Sequence, residues 1–150
     1  MGTVVIGVGN EFRRDDGIGP AVVSRLRRRH LPGVRLVDCD GETGRLIELW
    51  LDAHTVIIVD AVRAEFPEPG RVHRRSLHHP AINGRATSSH SSDLGGAVEL
   101  ARVLGRLPNT LLLYTVEAAD TSFGVGMSPA VAAAADALAE EIARQVATAR

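Results

Sequence analysis

Three continuous apolar runs constrain the fold of this chain most strongly. They occupy residues 3–8, 55–59 and 110–116 and consist mainly of valine, isoleucine and leucine. Such runs are typical of strands that are buried on both faces, as in parallel sheets covered by helices. Segments in which apolar residues recur at helical spacing alternate with them. This order predicts an α/β domain of three layers with a mostly parallel sheet.

Weaker signals complete the predicted order. Residues 34–37 form another predicted strand, and the alternating segment 71–75, which follows two prolines, is predicted as an edge strand. Ser128 is predicted to cap the last helix, which begins at Pro129. The predicted helices are residues 18–30, 43–51, 93–104 and 129–147. With neither an internal repeat nor a low-complexity linker, the 150 residues are predicted to form one domain, 1–150.

Composition excludes several classes of function. The net charge of −1 gives no reason to expect a nucleic-acid partner. All 17 basic residues are arginine, so a P-loop lysine and Schiff-base chemistry are excluded. Cys39 is the only cysteine, which excludes an intrachain disulfide and a thiolate-cluster metal site. Because Cys39 lies between two aspartates, we expect a raised thiol pKa and a poor nucleophile.

The sequence carries no signal for a membrane or for secretion. No apolar run approaches the ~20 residues that a membrane span needs. The N-terminus has no basic flank and reaches Gly7 before the apolar core of a signal peptide could form. A cytoplasmic protein without a membrane partner is therefore predicted.

Residues 7–19 form a glycine-rich, acidic loop after the first predicted strand. A Gly-x-Gly turn in this place is also the start of a dinucleotide fingerprint, so a nucleotide- or flavin-binding domain is one hypothesis. Asp15 and Asp16 favour another, because two adjacent carboxylates repel a phosphate and attract a cation. A third interpretation is that Asp15 or Asp16 simply caps the helix that follows.

Three ionisable residues stand out by their position. Asp16 follows the first strand, Asp60 directly follows the run 55–59, and His90 lies in a serine-rich loop before a helix. If the first and third strands are neighbours, both aspartates emerge at the same sheet edge. Two carboxylates and an imidazole suit zinc, nickel, manganese or iron with a position left open. An acid/base dyad of Asp16 and Asp60 remains an alternative. The other five histidines are predicted to be solvated surface residues.

Four motifs in a fixed order resemble those of the maturation endopeptidases of nickel-iron hydrogenases, over nearly the whole chain. The first is Gly-Val-Gly-Asn at 7–10 with Asp-Asp-Gly-Ile-Gly at 15–19. The others are Val-Ile-Ile-Val-Asp-Ala at 56–61, Ser-Ser-His at 88–90 with a leucine at 94, and Gly-Val-Gly-Met-Ser-Pro at 124–129. Members of this family trim the C-terminus of the hydrogenase large subunit.

The resemblance carries expectations for fold, site and partner. It implies an α/β/α sandwich with a five-stranded sheet in which one strand, at residues 71–75, is antiparallel. It also implies that Asp16, Asp60 and His90 are the catalytic, metal-contacting residues. The metal would be nickel carried by the partner, the large-subunit precursor, rather than held permanently. A monomer is expected, since the enzyme has to dock a large folded substrate.

Two positions depart from the family pattern. Glu42 stands where a glycine is common in the segment Asp-Gly-Glu-Thr at 40–43, which affects loop shape or peptide docking. Asp93 stands where a glycine often precedes Leu94. Asp93 either caps the next helix or is a neighbouring carboxylate that orients His90. A noncatalytic adaptor that binds the precursor in a metal-dependent way stays a further hypothesis beside the peptidase.

Overall fold

The computed structural model describes residues 2–77 and 91–148, with side chains of the third helix described from residue 94 onward. Its sheet has five strands in the order β2-β1-β3-β5-β4. All neighbouring strands are parallel except β4, which is antiparallel to β5 at the sheet edge. The strands are β1 (Thr3–Val8), β2 (Val34–Cys39), β3 (Thr55–Val62), β4 (Val72–Ser76) and β5 (Thr110–Glu117). The predicted α/β class, the mostly parallel sheet and the antiparallel edge strand are confirmed.

Within the described residues, four helices cover the two faces of the sheet. Apolar side chains of α1 and α4 pack on one face, and those of α2 and α3 pack on the other. A 3₁₀ turn, Arg14–Gly17, precedes α1. The helices are α1 (Ile18–Arg27), α2 (Thr43–Trp50), α3 (Ser91–Val103) and α4 (Pro129–Thr148). No helix in the described ranges is both long and apolar enough to cross a bilayer.

The strand pairing brings the ends of β1 and β3 together. Gly7 of β1 pairs with Val59 of β3, and Asp60 pairs with Thr115 of β5. The four parallel strands therefore end at one edge of the sheet, called the carboxyl edge below. β3 continues to Val62, so that Asp60 lies inside the strand instead of directly after it. The prediction that ended this strand at residue 59 was too short, because two further apolar residues follow Asp60 in the sequence.

Candidate active site

Asp60 is a buried carboxyl group near the end of β3. Asp60 is only 3% exposed, and its Oδ1 accepts a hydrogen bond of 2.8 Å from the backbone N–H of Ala61. Burial raises the pKa of Asp60 to about 8; the Ala61 hydrogen bond opposes that shift and the nearby charge of Asp16 adds to it. At neutral pH and without a cation, the Asp60 side chain is therefore largely protonated.

Asp16 lies beside Asp60, as predicted. It belongs to the 3₁₀ turn, which contacts β3, and it is 3% exposed. Its Oδ2 accepts a hydrogen bond of 2.9 Å from the backbone N–H of Asn10. Since its negative charge contributes to the raised pKa of Asp60, the two carboxyl groups act on each other electrostatically. Two buried acidic groups so placed favour either a bound cation or one shared proton.

Glycines bring the start of α1 close enough to the sheet for this pairing. A Cβ atom on Gly19 would lie 2.4 Å from the carbonyl oxygen of Val8 and 2.7 Å from that of Val59. Gly9 has a φ of 140°, and a Cβ atom there would lie 2.0 Å from the carbonyl oxygen of Asp16. Larger residues at either position would push the turn that carries Asp16 away from β3.

Asp15 differs from its neighbour Asp16 in its hydrogen-bond contacts. It is fully buried, and its carboxylate accepts hydrogen bonds from the backbone N–H groups of Ala119, Asp120 and Ser128 at 2.8, 3.1 and 2.7 Å. A fourth comes from the Ser128 hydroxyl at 2.8 Å. Burial alone raises the pKa of Asp15, but these hydrogen bonds outweigh burial and lower it. Asp15 thus fastens the loop after β5 to the loop after β1.

The capping interpretation of the two aspartates was wrong. The N-cap of α1 is Gly17, which makes no side-chain capping hydrogen bond. Asp15 reaches to the other loop, and Asp16 binds Asn10. Ser128 precedes α4 as predicted, and its hydroxyl donates to Asp15.

The loop after β1 is poorly suited to a phosphate. Dinucleotide sites need backbone N–H groups that point at the pyrophosphate. Here the N–H of Gly9 donates to the carbonyl of Cys39, that of Asn10 donates to Asp16, and that of Asp15 donates to the carbonyl of Asp120. The N–H groups of Phe12, Arg13, Arg14 and Asp16 are also used within the protein. These contacts weigh against the nucleotide- or flavin-binding hypothesis.

His90 and the side chain of Asp93 lie outside the described residues, so their roles stay predictions. Within residues 2–77 and 91–148, no group of three metal-ligating side chains comes together. Asp16 and Asp60 are thus the two members of the predicted trio that the structure juxtaposes.

A histidine–carboxylate pair near the site escaped the sequence interpretation. His73 of β4 is partly exposed, in line with its predicted surface position, and its Nε2 lies 2.7 Å from Oε2 of Glu117. Glu117 is 5% exposed and also accepts a hydrogen bond from the N–H of Glu68, and both contacts lower its pKa. His73 pairs with Thr115, which in turn pairs with Asp60. Only the strand register, which the sequence does not reveal, brings these residues into one row.

An open cleft of about 540 Å³ adjoins the site at the ends of β1 and β2. It is lined by Gly9, Asp38, Cys39, Asp40, Glu42 and Arg45. Glu42 caps α2, accepting hydrogen bonds from the N–H groups of Gly44 and Arg45 at 3.0 and 2.8 Å. Burial, joined by the charge of Asp40, raises the pKa of Cys39, which is the direction that the sequence predicted.

The fold and the buried acidic pair describe an α/β protein with two interacting carboxyl groups at the carboxyl edge of the sheet. Comparison with known proteins identifies the class. Residues 20–145 match the family model described as hydrogenase maturation protease. The chain belongs to this family, and it is accordingly a peptidase.

Individual relatives agree with the family match. The chain is 29% identical over 147 residues to the hydrogenase expression/formation protein HupD of Rhodobacter capsulatus, covering 95% of this chain and 70% of that protein. It is 27% identical over 145 residues to the hydrogenase 2 maturation protease of Escherichia coli K12, covering 95% and 88%. Its structure is similar to the E. coli hydrogenase maturating endopeptidase HybD, with a TM-score of 0.79, 26% identity and coverage of 95% and 90%.

Proposed function

We propose that this chain is an endopeptidase that removes the C-terminal extension of a nickel-loaded hydrogenase large-subunit precursor. The observation that carries the proposal is the buried pair of Asp16 and Asp60, with the pKa of Asp60 raised to about 8. A site with this electrostatics gains most from an arriving cation, because the cation stabilises both carboxylates at once. Nickel held by the precursor is such a cation, and it is part of the substrate.

His90 would be the third residue to contact the nickel. What supports this role is the helix that follows it: α3 begins at the next residue and packs through Leu94 and Ala97 in the apolar cluster that contains Val56 and Ile58. Asp60 projects to that same face, because side chains two and four residues apart on a strand share a face. Two carboxylates and one imidazole are a donor set that nickel accepts, with positions left for the substrate's own ligands.

Cleavage of a peptide bond requires a water nucleophile and a proton for the leaving amine. A carboxyl group with a pKa near 8 is protonated at neutral pH and can donate that proton, and Asp16 is the neighbouring group that would accept one from water. With nickel in place, the metal would polarise the peptide carbonyl or water, and both carboxylates would be ionised. Both routes use Asp16 and Asp60, and they differ in whether cleavage depends on the metal.

The direct test is mass spectrometry of the purified precursor after incubation with the chain. We expect loss of a C-terminal segment from nickel-loaded precursor and none from nickel-free precursor. Asp16→Asn, Asp60→Asn and His90→Gln should abolish the mass change. Asp52→Asn and His54→Gln, two exposed positions between α2 and the start of β3, serve as matched controls and should cleave normally.

The other outcomes separate the hypotheses. Equal cleavage of nickel-free precursor would favour the acid/base dyad and overturn the role of nickel. Binding of the nickel-loaded precursor without any product would favour the noncatalytic adaptor. Cleavage unimpaired in Asp16→Asn would overturn the assigned site.

A further inference from the structure

Two loops at the carboxyl edge, residues 10–14 and 119–127, are joined into one surface, here called the two-loop surface. The carbonyl oxygen of Phe12 accepts a hydrogen bond from the N–H of Gly124, and the N–H of Arg14 donates to the carbonyl of Gly124. Arg13 adds a side-chain bond of 3.1 Å from its Nε to the carbonyl of Thr121. Asp15 closes the base of the surface with its four hydrogen bonds. The loops are therefore held in a defined arrangement.

This arrangement presents large apolar side chains to solvent. Phe12 is 59% exposed, and Phe123 and Val125 are each 77% exposed. The guanidinium of Arg13 lies over the ring of Phe123, 4.9 Å from its centroid. Exposed apolar residues gathered on an ordered surface mark interaction sites, and aromatic residues with arginine are enriched at protein interfaces. The composition of the two-loop surface thus fits a protein partner.

The charges on the surface indicate the chemistry of that partner. Arg14 lies 3.7 Å from a carboxylate oxygen of Asp120, so its charge is balanced within the protein. Arg13 bonds only to a backbone carbonyl and a ring, and no carboxylate in the described part of the chain pairs with it. A matching partner would bring apolar side chains for Phe12, Phe123 and Val125, and a carboxylate for Arg13.

The surface is continuous with the candidate active site. Asp15, which anchors the two loops, directly precedes Asp16 in the 3₁₀ turn. A folded protein whose terminal segment reaches Asp16 and Asp60 would therefore lie close to the two-loop surface. Anchoring both features through adjacent residues fixes the position of docking relative to cleavage.

We propose that the two-loop surface docks the folded body of the large-subunit precursor while its C-terminal segment enters the site. This inference rests on the proposed function and adds to it the contact that selects the substrate. The docking residues are Phe12, Arg13, Phe123 and Val125. They supply binding energy, whereas the reacting groups remain Asp16 and Asp60.

Steady-state cleavage of nickel-loaded precursor tests the proposal. For Val125→Ser combined with Phe123→Ser, we expect KM to rise at least tenfold while kcat stays within twofold. Arg13→Glu should raise KM by a similar factor. Val103→Ser is the matched control, because Val103 ends α3 and is 80% exposed, away from the two loops. Equilibrium binding in the Asp60→Asn background should show the same ranking in Kd without turnover, and thermal melts should show that all variants fold.

Other results would overturn the docking role. The docking role would be overturned if the KM of the two-loop variants stayed within twofold of the wild-type value. It would also be overturned if their KM rose no more than that of Val103→Ser. A wild-type chain that sediments as a dimer, with Val125→Ser and Phe123→Ser converting it to a monomer, would identify a second copy as the occupant instead. Failure of the wild-type chain itself to cleave any precursor would contradict the proposed function and is distinct from all of these.

Discussion

Two buried aspartates, Asp15 and Asp60, lie in opposite electrostatic surroundings. The Asp15 pocket supplies four hydrogen-bond donors, so that its carboxylate is ionised and its pKa is lowered. The Asp60 pocket supplies the N–H of Ala61 and the repelling charge of Asp16, so that the pKa is raised. The Asp60 carboxyl group is buried more deeply and has fewer donors, and both differences raise its pKa relative to that of Asp15. The difference separates a carboxylate that holds loops together from one that is suited to chemistry.

Removal of Asp15 should have the largest effect on the fold. Asp15→Ala leaves three backbone N–H groups and the Ser128 hydroxyl without their acceptor in a buried place. We expect the free energy of unfolding to fall by about 4 kcal/mol, measured by urea denaturation. Asp136→Ala, which breaks an ion pair of a mostly exposed carboxylate with Arg25, is the control and should cost under about 1 kcal/mol. A similar small loss for both variants would remove the distinction between the pockets.

Replacement of the Asp60 carboxyl group by an amide should affect chemistry instead of stability. In Asp60→Asn we expect the rate of precursor cleavage to fall at least ~100-fold, equivalent to about 2.7 kcal/mol of activation free energy. The free energy of unfolding should not fall, because the variant avoids placing a carboxyl group in a buried site. Parallel cleavage assays and urea denaturation check both parts. A variant that unfolds as easily as Asp15→Ala would show that Asp60 is structural after all.

The pH dependence of stability sharpens the same comparison. Because the folded-state pKa of Asp60 is about 8, against 3.8 in the reference state, the folded protein binds the extra proton between these values. Stability therefore falls as pH rises from about 4 to 8, with a contribution of up to about 1.4 kcal/mol per pH unit. In chelator-treated samples, Asp60→Asn should lack this slope, so its advantage over wild type grows with pH. Parallel curves for the two proteins would contradict the raised pKa.

Glu117 should give the smallest effect and the opposite pH dependence. Its lowered pKa means that its ionised form stabilises the fold above pH ~4.5 and that this contribution is lost as pH falls. Glu117→Gln keeps an acceptor but removes the charge facing Glu68 and His73, so we expect a loss of about 1 kcal/mol at pH 6.5. Chemical denaturation at pH 6.5 and below 4.5 measures the change, which should shrink in acid. A loss independent of pH would point to packing instead.

The sequence was a good guide where residue pattern and chain order suffice. Continuous apolar runs located β1, β3 and β5, and the position of Asp60 after such a run marked it as a buried group that needs explanation. Patterns selected Asp16 as a site residue but did not reveal that Asp15 joins two loops, because the hydrogen-bond donors to Asp15 lie far away in the sequence, at residues 119–128. Nor did they reveal His73 beside Glu117, since that contact joins residues 44 positions apart through the register of an antiparallel edge.

The close backbone contacts at Gly9 and Gly19 also limit how such a site can diversify. Both glycines lie against backbone atoms and have no side chain. A change of side-chain size at these two positions therefore cannot adjust the spacing between Asp16 and Asp60. Side chains at solvent-facing positions such as Phe12, Glu42 and Val125 can change without altering this spacing. The arrangement of the two carboxyl groups can then stay the same while the surface around them changes.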